Sequence, residues 1–333
     1  MYGARMVTYV SHITSLACLR RIYALGLTPK RVDGTHAPQI AKETETLHHA
    51  IANLTPDIER IDVLVSDAKS RRNSKGLACH VWSAPIPRRS FFEIEKGIYV
   101  STPEFLFLQM AGQLPIPQLI QLGFELCGCY VIDPHAKRGM KRTKHPMTTP
   151  LAIAQYLQDA GNCYGYAKAM RALRWIVPNS WSPMETDVTI LLTLPKKVGG
   201  YQLLSPLLNR KVYLEGEYRR RARSDHYYLD ASWKNADGTR LVALEFLGDE
   251  DHTGKIAQGR DRTREIILDQ LGITTFGITS YQVFRIDEFD TAVQALCKSI
   301  GCAYRKPTAS QIEKKRELRR LLFARLGPNA LVS

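Results

Sequence analysis

The chain has 333 residues, 44% hydrophobic and 23% charged, with a formal net charge of +14 from 46 Lys and Arg against 32 Asp and Glu. That length suits two domains with a sizeable core, and the composition excludes disorder and collagen-like architecture. No run is apolar for long enough to cross a membrane, and the N-terminal region is broken by Arg5, His12, Arg20 and Arg21. The expectation is therefore a cytoplasmic protein with neither a signal peptide nor a membrane partner.

In chain order, residues 12–25 have the apolar spacing of a helix, with Ile13, Leu16, Leu19, Ile22 and Tyr23 on one side and Gly26 as its stop. Short strands are predicted at residues 61–66, 77–82, 90–94 and 97–101, and helices at 103–113 and 116–127. Residues 133–150 are basic, bounded by proline and aperiodic, which reads as a linker. Helices at about 151–160 and 164–176 lead to a proline break at Pro178 and Pro183. Ser182, Pro183 and Glu185 are then spaced as N-cap, first helical residue and capping-box partner. Strands follow at 211–215, 227–232 and 241–247, then a helix at 255–271, a strand at 274–279 and helices at 287–300 and 309–326. In the last helix Ile312, Leu318, Leu321 and Leu322 are expected to face inward.

The charge is unevenly spread. Residues 1–150 carry +7, 151–200 +2 and 301–333 +6, whereas 201–300 are at −1 and hold 15 of the 32 carboxylates. Three basic clusters frame that stretch: Lys137, Arg138, Lys141, Arg142 and Lys144; Arg219, Arg220, Arg221 and Arg223; and Lys314, Lys315, Arg316, Arg319 and Arg320. Together they point to phosphate contact, and to nucleic acid rather than membrane. The seven cysteines are odd in number, and Cys127 with Cys129 and Cys297 with Cys302 lack zinc-ligand spacing. They read as reduced structural thiols.

Two carboxylates interrupt otherwise apolar strands. Glu245 lies within the run of residues 241–247 and Asp230 within residues 227–232, and an ionised carboxylate buried in a strand costs several kcal/mol without compensation. Between them Asp237 and Gly238 form a two-residue turn signal, and a hairpin closed there sets Asp230 opposite Glu245. Like charges so placed repel. One carboxyl holds a proton, or a cation sits between them, or the side chains reach solvent, Arg240 or Lys234. A divalent ion turns two unfavourable placements into one site, because Mg2+ is held by one or two carboxylates together with substrate phosphate.

The order helix, three strands, helix, strand, helix, with Glu185, Asp230 and Glu245 on successive elements, resembles the PD-(D/E)XK nuclease superfamily. Within it the likeness is to the very-short-patch-repair endonuclease branch. The matching residues are Glu245 and Gly248, His252, Asp261 and Arg264, Gly272 and the strand at 274–279, so the resemblance spans roughly residues 180–290. It implies an α/β (α+β) fold class, with a restriction-endonuclease-like mixed sheet flanked by helices and a smaller α+β domain before it. The organisation it suggests is 1–135, a linker and helical pair at 136–180, the nuclease-like domain at 181–303, and a basic helix at 304–333.

It also implies Mg2+ or Mn2+ held by Asp230, Glu245 and the Phe246 carbonyl, with Glu185 orienting the attacking water and His252 moving the proton. Arg219, Arg220, Arg221 and Arg223, on a loop beside the site, with Lys255 and Arg264, would grip DNA. The superfamily's lysine two residues after the second acid is Leu247 here. Residues 80–88 and 95–103 are similar to AbiEi-type antitoxin regulators. The rival expectation is therefore a non-catalytic DNA-binding antitoxin or regulator, with a toxin as partner.

Overall fold

Between Thr8 and Ser101, short apolar runs broken by Gly, Pro and Arg-rich turns form a six-stranded sheet in the computed structural model, which describes residues 7–33, 44–52, 54–55, 57–72, 75–247 and 255–324. The chain divides into two units, with described residues 7–176 in the first and Val177–Ala324 in the second. Both are mixed α+β.

The first unit runs β1 (Thr8–Val10), α1 (His12–Ala24), β2 (Arg31–Val32), α2 (Thr44–Ile51), β3 (Ile61–Val65), β4 (Leu77–Val81), β5 (Phe91–Glu95) and β6 (Ile98–Ser101). It continues with α3 (Pro103–Ala111), α4 (Ile116–Leu126), β7 (Tyr130–Ile132), β8 (Met140–Arg142), α5 (Pro150–Ala160) and α6 (Tyr166–Leu173). The sheet order is β2-β5-β6-β1-β3-β4. Helix α3 is buried on every side, as expected of a helix apolar all round. Its one acid, Glu104, is neutralised by two bonds from Arg31, at 2.8 and 2.9 Å. Residues 133–150, read as a linker, contain instead the second strand of a hairpin: Tyr130, Val131 and Ile132 pair with Arg142, Lys141 and Met140. The sequence hid it because β8 has three residues and no buried face. The division between units falls at 176/177, after α6.

The second unit contains α7 (Pro183–Thr193), β9 (Leu207–Tyr213), α8 (Gly216–Ala222), β10 (His226–Lys234), β11 (Leu241–Leu247), α9 (Lys255–Gln270), β12 (Ile273–Thr279), α10 (Ser280–Phe284), α11 (Ile286–Ile300) and α12 (Ala309–Phe323). Its sheet order is β12-β11-β10-β9. The pairs β9/β10 and β10/β11 are antiparallel; β11 and β12 run parallel, joined by α9, since a parallel connection needs a crossover. Leu229, Ala243, Leu268 and Ile273 form a core between sheet and α9.

The inward face of α12 differs from the one read off its leucines. Leu318 and Leu322 are buried, but so are Lys315 and Arg319, while Ile312 and Leu321 are only partly covered. Lys315 is bonded to Asp290, and both cations lie over aromatic rings, Lys315 over Tyr201 at 3.7 Å and Arg319 over Phe289 at 5.1 Å. The C-terminal basic cluster is therefore partly internal. Two of its outward members, Arg316 and Arg320, pair with Glu313 and Glu317 on their own helix.

Candidate active site

Ser182 caps α7 as its sequence predicts, its hydroxyl accepting from the Glu185 N–H at 3.1 Å. The other half of the capping box is absent. The Glu185 carboxylate bypasses the cap residue and accepts from the Trp181 N–H and from Asn209 Nδ2, both 2.7 Å from Oε2. A side chain that could have closed a local cap is thus held toward the sheet. Asn209 sits in β9 at φ +49, a left-handed conformation that asparagine tolerates better than most residues. There the β9–β10 pairing passes from Leu229↔Arg210 to Ala231↔Leu208, leaving Asn209 level with Asp230.

The hairpin register is the one read from the sequence. Lys234↔Leu241, Trp233↔Val242, Ser232↔Ala243 and Ala231↔Leu244 are partners, which brings Asp230 level with Glu245. The turn is wider than Asp237 and Gly238 alone: Asn235 N–H donates to Arg240 O and Gly238 N–H to Asn235 O. One residue is added to the loop on each strand, so the register is unchanged. Past Ala231 the Phe246 N–H donates to Asp230 Oδ2 at 2.8 Å. Arg264, two turns before the end of α9, places Nη2 2.9 Å from Glu245 Oε2 and bonds the Tyr228 carbonyl. Arg264 is thus part of the site rather than only a helix-surface neighbour of Asp261.

These contacts leave a charge problem. Glu185 is 6% exposed and Glu245 8%. Burial pushes the Glu185 carboxyl up to about 7, with the Asp230 charge adding to the rise, against the bonds from Trp181 and Asn209. Burial likewise pushes Glu245 up to about 7; the Arg264 guanidinium opposes this and the Asp230 charge reinforces it. Glu245 Oε1 is buried with no hydrogen-bond partner. Two glutamates that burial and the neighbouring Asp230 charge make reluctant to ionise are the kind of perturbed pair that recurs at functional sites.

Of the residues singled out in the sequence, Glu185, Asp230, Glu245 and Arg264 come together. Arg219, Arg220 and Arg221 are exposed on α8, with Arg223 as its left-handed C-cap, so a short helix replaces the expected loop. Lys255 opens α9. His252 lies outside the described residues. Leu247, where the resemblance would lead one to expect a lysine, covers Gly277 on the neighbouring strand, where an added Cβ would stand 2.7 Å from Leu247 Cδ1. Sequence reading missed Asn209, Trp181 and Tyr228. A polar Asn between Leu208 and Arg210 was the only hint of the first.

No protein-family model, curated protein or solved structure matches the chain. Among the described residues no group of three or more His, Cys, Asp or Glu side chains is arranged to hold a metal ion. The pair Asp230 and Glu245 nevertheless suits a hard divalent cation, which keeps several waters and needs only one or two carboxylates. The orphaned Glu245 Oε1 is an oxygen such an ion would satisfy.

Proposed function

We propose that the second unit is a metal-dependent nuclease acting on DNA phosphodiester bonds. The observation that carries this reading is the grouping of Glu185, Asp230 and Glu245 on three elements, with both glutamates raised to about 7 and one carboxylate oxygen left unbonded. Asp230 and Glu245, with the Phe246 carbonyl, would hold Mg2+ or Mn2+. A divalent ion supplies charge stabilisation for phosphodiester hydrolysis and lowers the pKa of water. Glu185, poised near neutrality, is suited to accept a proton from the attacking water. The Trp181 amide and Asn209 fix its Oε2. Arg264 keeps Glu245 in place and limits its protonation. The arginines of α8 supply the phosphate grip.

A second reading is favoured by Leu247. With an apolar side chain over Gly277 where the superfamily it resembles has a lysine, the fold suits a DNA-binding regulator without hydrolysis, such as an antitoxin. Incubating the protein with plasmid, linear and mismatched DNA in Mg2+ or Mn2+, beside Glu245→Ala, separates the two. The nuclease reading expects metal-dependent cleavage that the variant loses. Cleavage no greater than that of the variant on any substrate leaves the regulator.

A further inference from the structure

Three aromatic side chains beside the acids have no role in hydrolysis. The His226 ring lies 4.8 Å from that of Tyr228 at 82°, and the Tyr228 ring 4.6 Å from that of Trp181 at 62°. The row starts just after Arg223, the end of the exposed arginine helix, and finishes at Trp181, whose backbone N–H holds Glu185. None of the three belongs to the core; each is half-buried. The polar edges of the two outer rings are fixed, Trp181 Nε1 donating to Asn179 Oδ1 at 3.0 Å and His226 Nδ1 lying 2.5 Å from Asp225 Oδ1. Anchored in this way, Trp181 and His226 hold their rings on either side of Tyr228 without full burial.

We propose that His226, Tyr228 and Trp181 form a stacking platform for unpaired bases, so that the substrate of this site is single-stranded DNA. The inference rests on the nucleic-acid reading of the carboxylate site. Bases in a duplex are stacked on one another and offer no free face, whereas each base of a single strand can stack on an aromatic ring, worth about 1–3 kcal/mol per base. The order along the unit is the one a strand needs: arginines for the backbone, rings for the bases, then the acids. Without a cation Asp230 and Glu245 repel phosphate, so arginines and rings must carry binding.

The test is fluorescence anisotropy in EDTA with labelled oligo(dT) of about 12 nucleotides, within the usual single-strand site size, against a duplex of equal length. The single strand is expected to bind at least about tenfold tighter. Trp181→Ala with Tyr228→Ala is expected to weaken it about 10- to 100-fold while leaving duplex binding unchanged, and Trp181→Phe with Tyr228→Phe to retain most of the affinity. Abasic positions in the oligonucleotide should weaken wild type in the same way, a result that does not depend on any variant folding. Equal or tighter binding of the duplex, or indifference to both the alanines and the abasic sites, overturns the proposal. Cleavage is absent in EDTA, so loss of hydrolysis with a preserved single-strand preference removes only the nuclease reading, and cleavage without that preference removes only this one.

Discussion

Glu185 and Glu245 carry the electrostatics of the site, and the sign of their effect is fixed. Both are raised to about 7 from the ordinary glutamate value of 4.5, so between those values the folded state binds more protons than the unfolded chain. Stability should then fall as pH rises through that window and level off above it. Chemical denaturation across about pH 5 to 8 should show this slope, and Glu185→Gln with Glu245→Gln should flatten it, raising stability most at the alkaline end. Arg264→Ala leaves Glu245 buried beside Asp230 without its cation. Because the guanidinium is partly exposed, the expected loss is about 2–3 kcal/mol at pH 8, shrinking toward pH 5 as Glu245 takes up a proton. Urea titrations at the two pH values measure it.

At the scale of elements, the α7 cap and the β10–β11 register were legible because each is set locally. Ser182 caps its own helix, and a turn centred on Asp237 and Gly238 fixes pairing whether two or four residues wide. What the sequence hid depends on contacts between distant residues: Glu185 turns away from its local cap because Asn209 waits on β9, and Lys315 turns inward because Asp290 and Tyr201 receive it. The same logic places a glycine requirement before α12. Gly199 has φ +97, and a Cβ there would lie 2.3 Å from the Lys314 carbonyl oxygen. Gly199→Ala combines left-handed strain with a backbone clash and should cost at least about 2 kcal/mol. Equilibrium unfolding checks this, with Gly238→Ala, also at positive φ but meeting nothing within 4 Å, expected to cost less.

For the whole molecule, the charge of +14 resolves into groups of different use. On α12, Lys315 and Arg319 are buried and the exposed Arg316 and Arg320 have carboxylate partners; on α8 Arg221 pairs with Glu217 at 3.8 Å, while Arg219, Arg220, Arg223 and the basic residues of the β7–β8 hairpin are exposed. Salt dependence of DNA binding should therefore track the latter groups. Replacing Arg219, Arg220 and Arg223 by Ala should reduce the slope of log K against log salt by about 2–3, and replacing Arg316 and Arg320 should leave it nearly unchanged. The central claim, that Asp230 and Glu245 form a cation site, is tested most directly by calorimetric titration with Mn2+ at about pH 6 and 8. The prediction is binding that releases protons at the lower pH, as the raised carboxyls ionise, and that is lost in Asp230→Asn and Glu245→Gln. No binding, or binding that both variants retain unchanged, would contradict it.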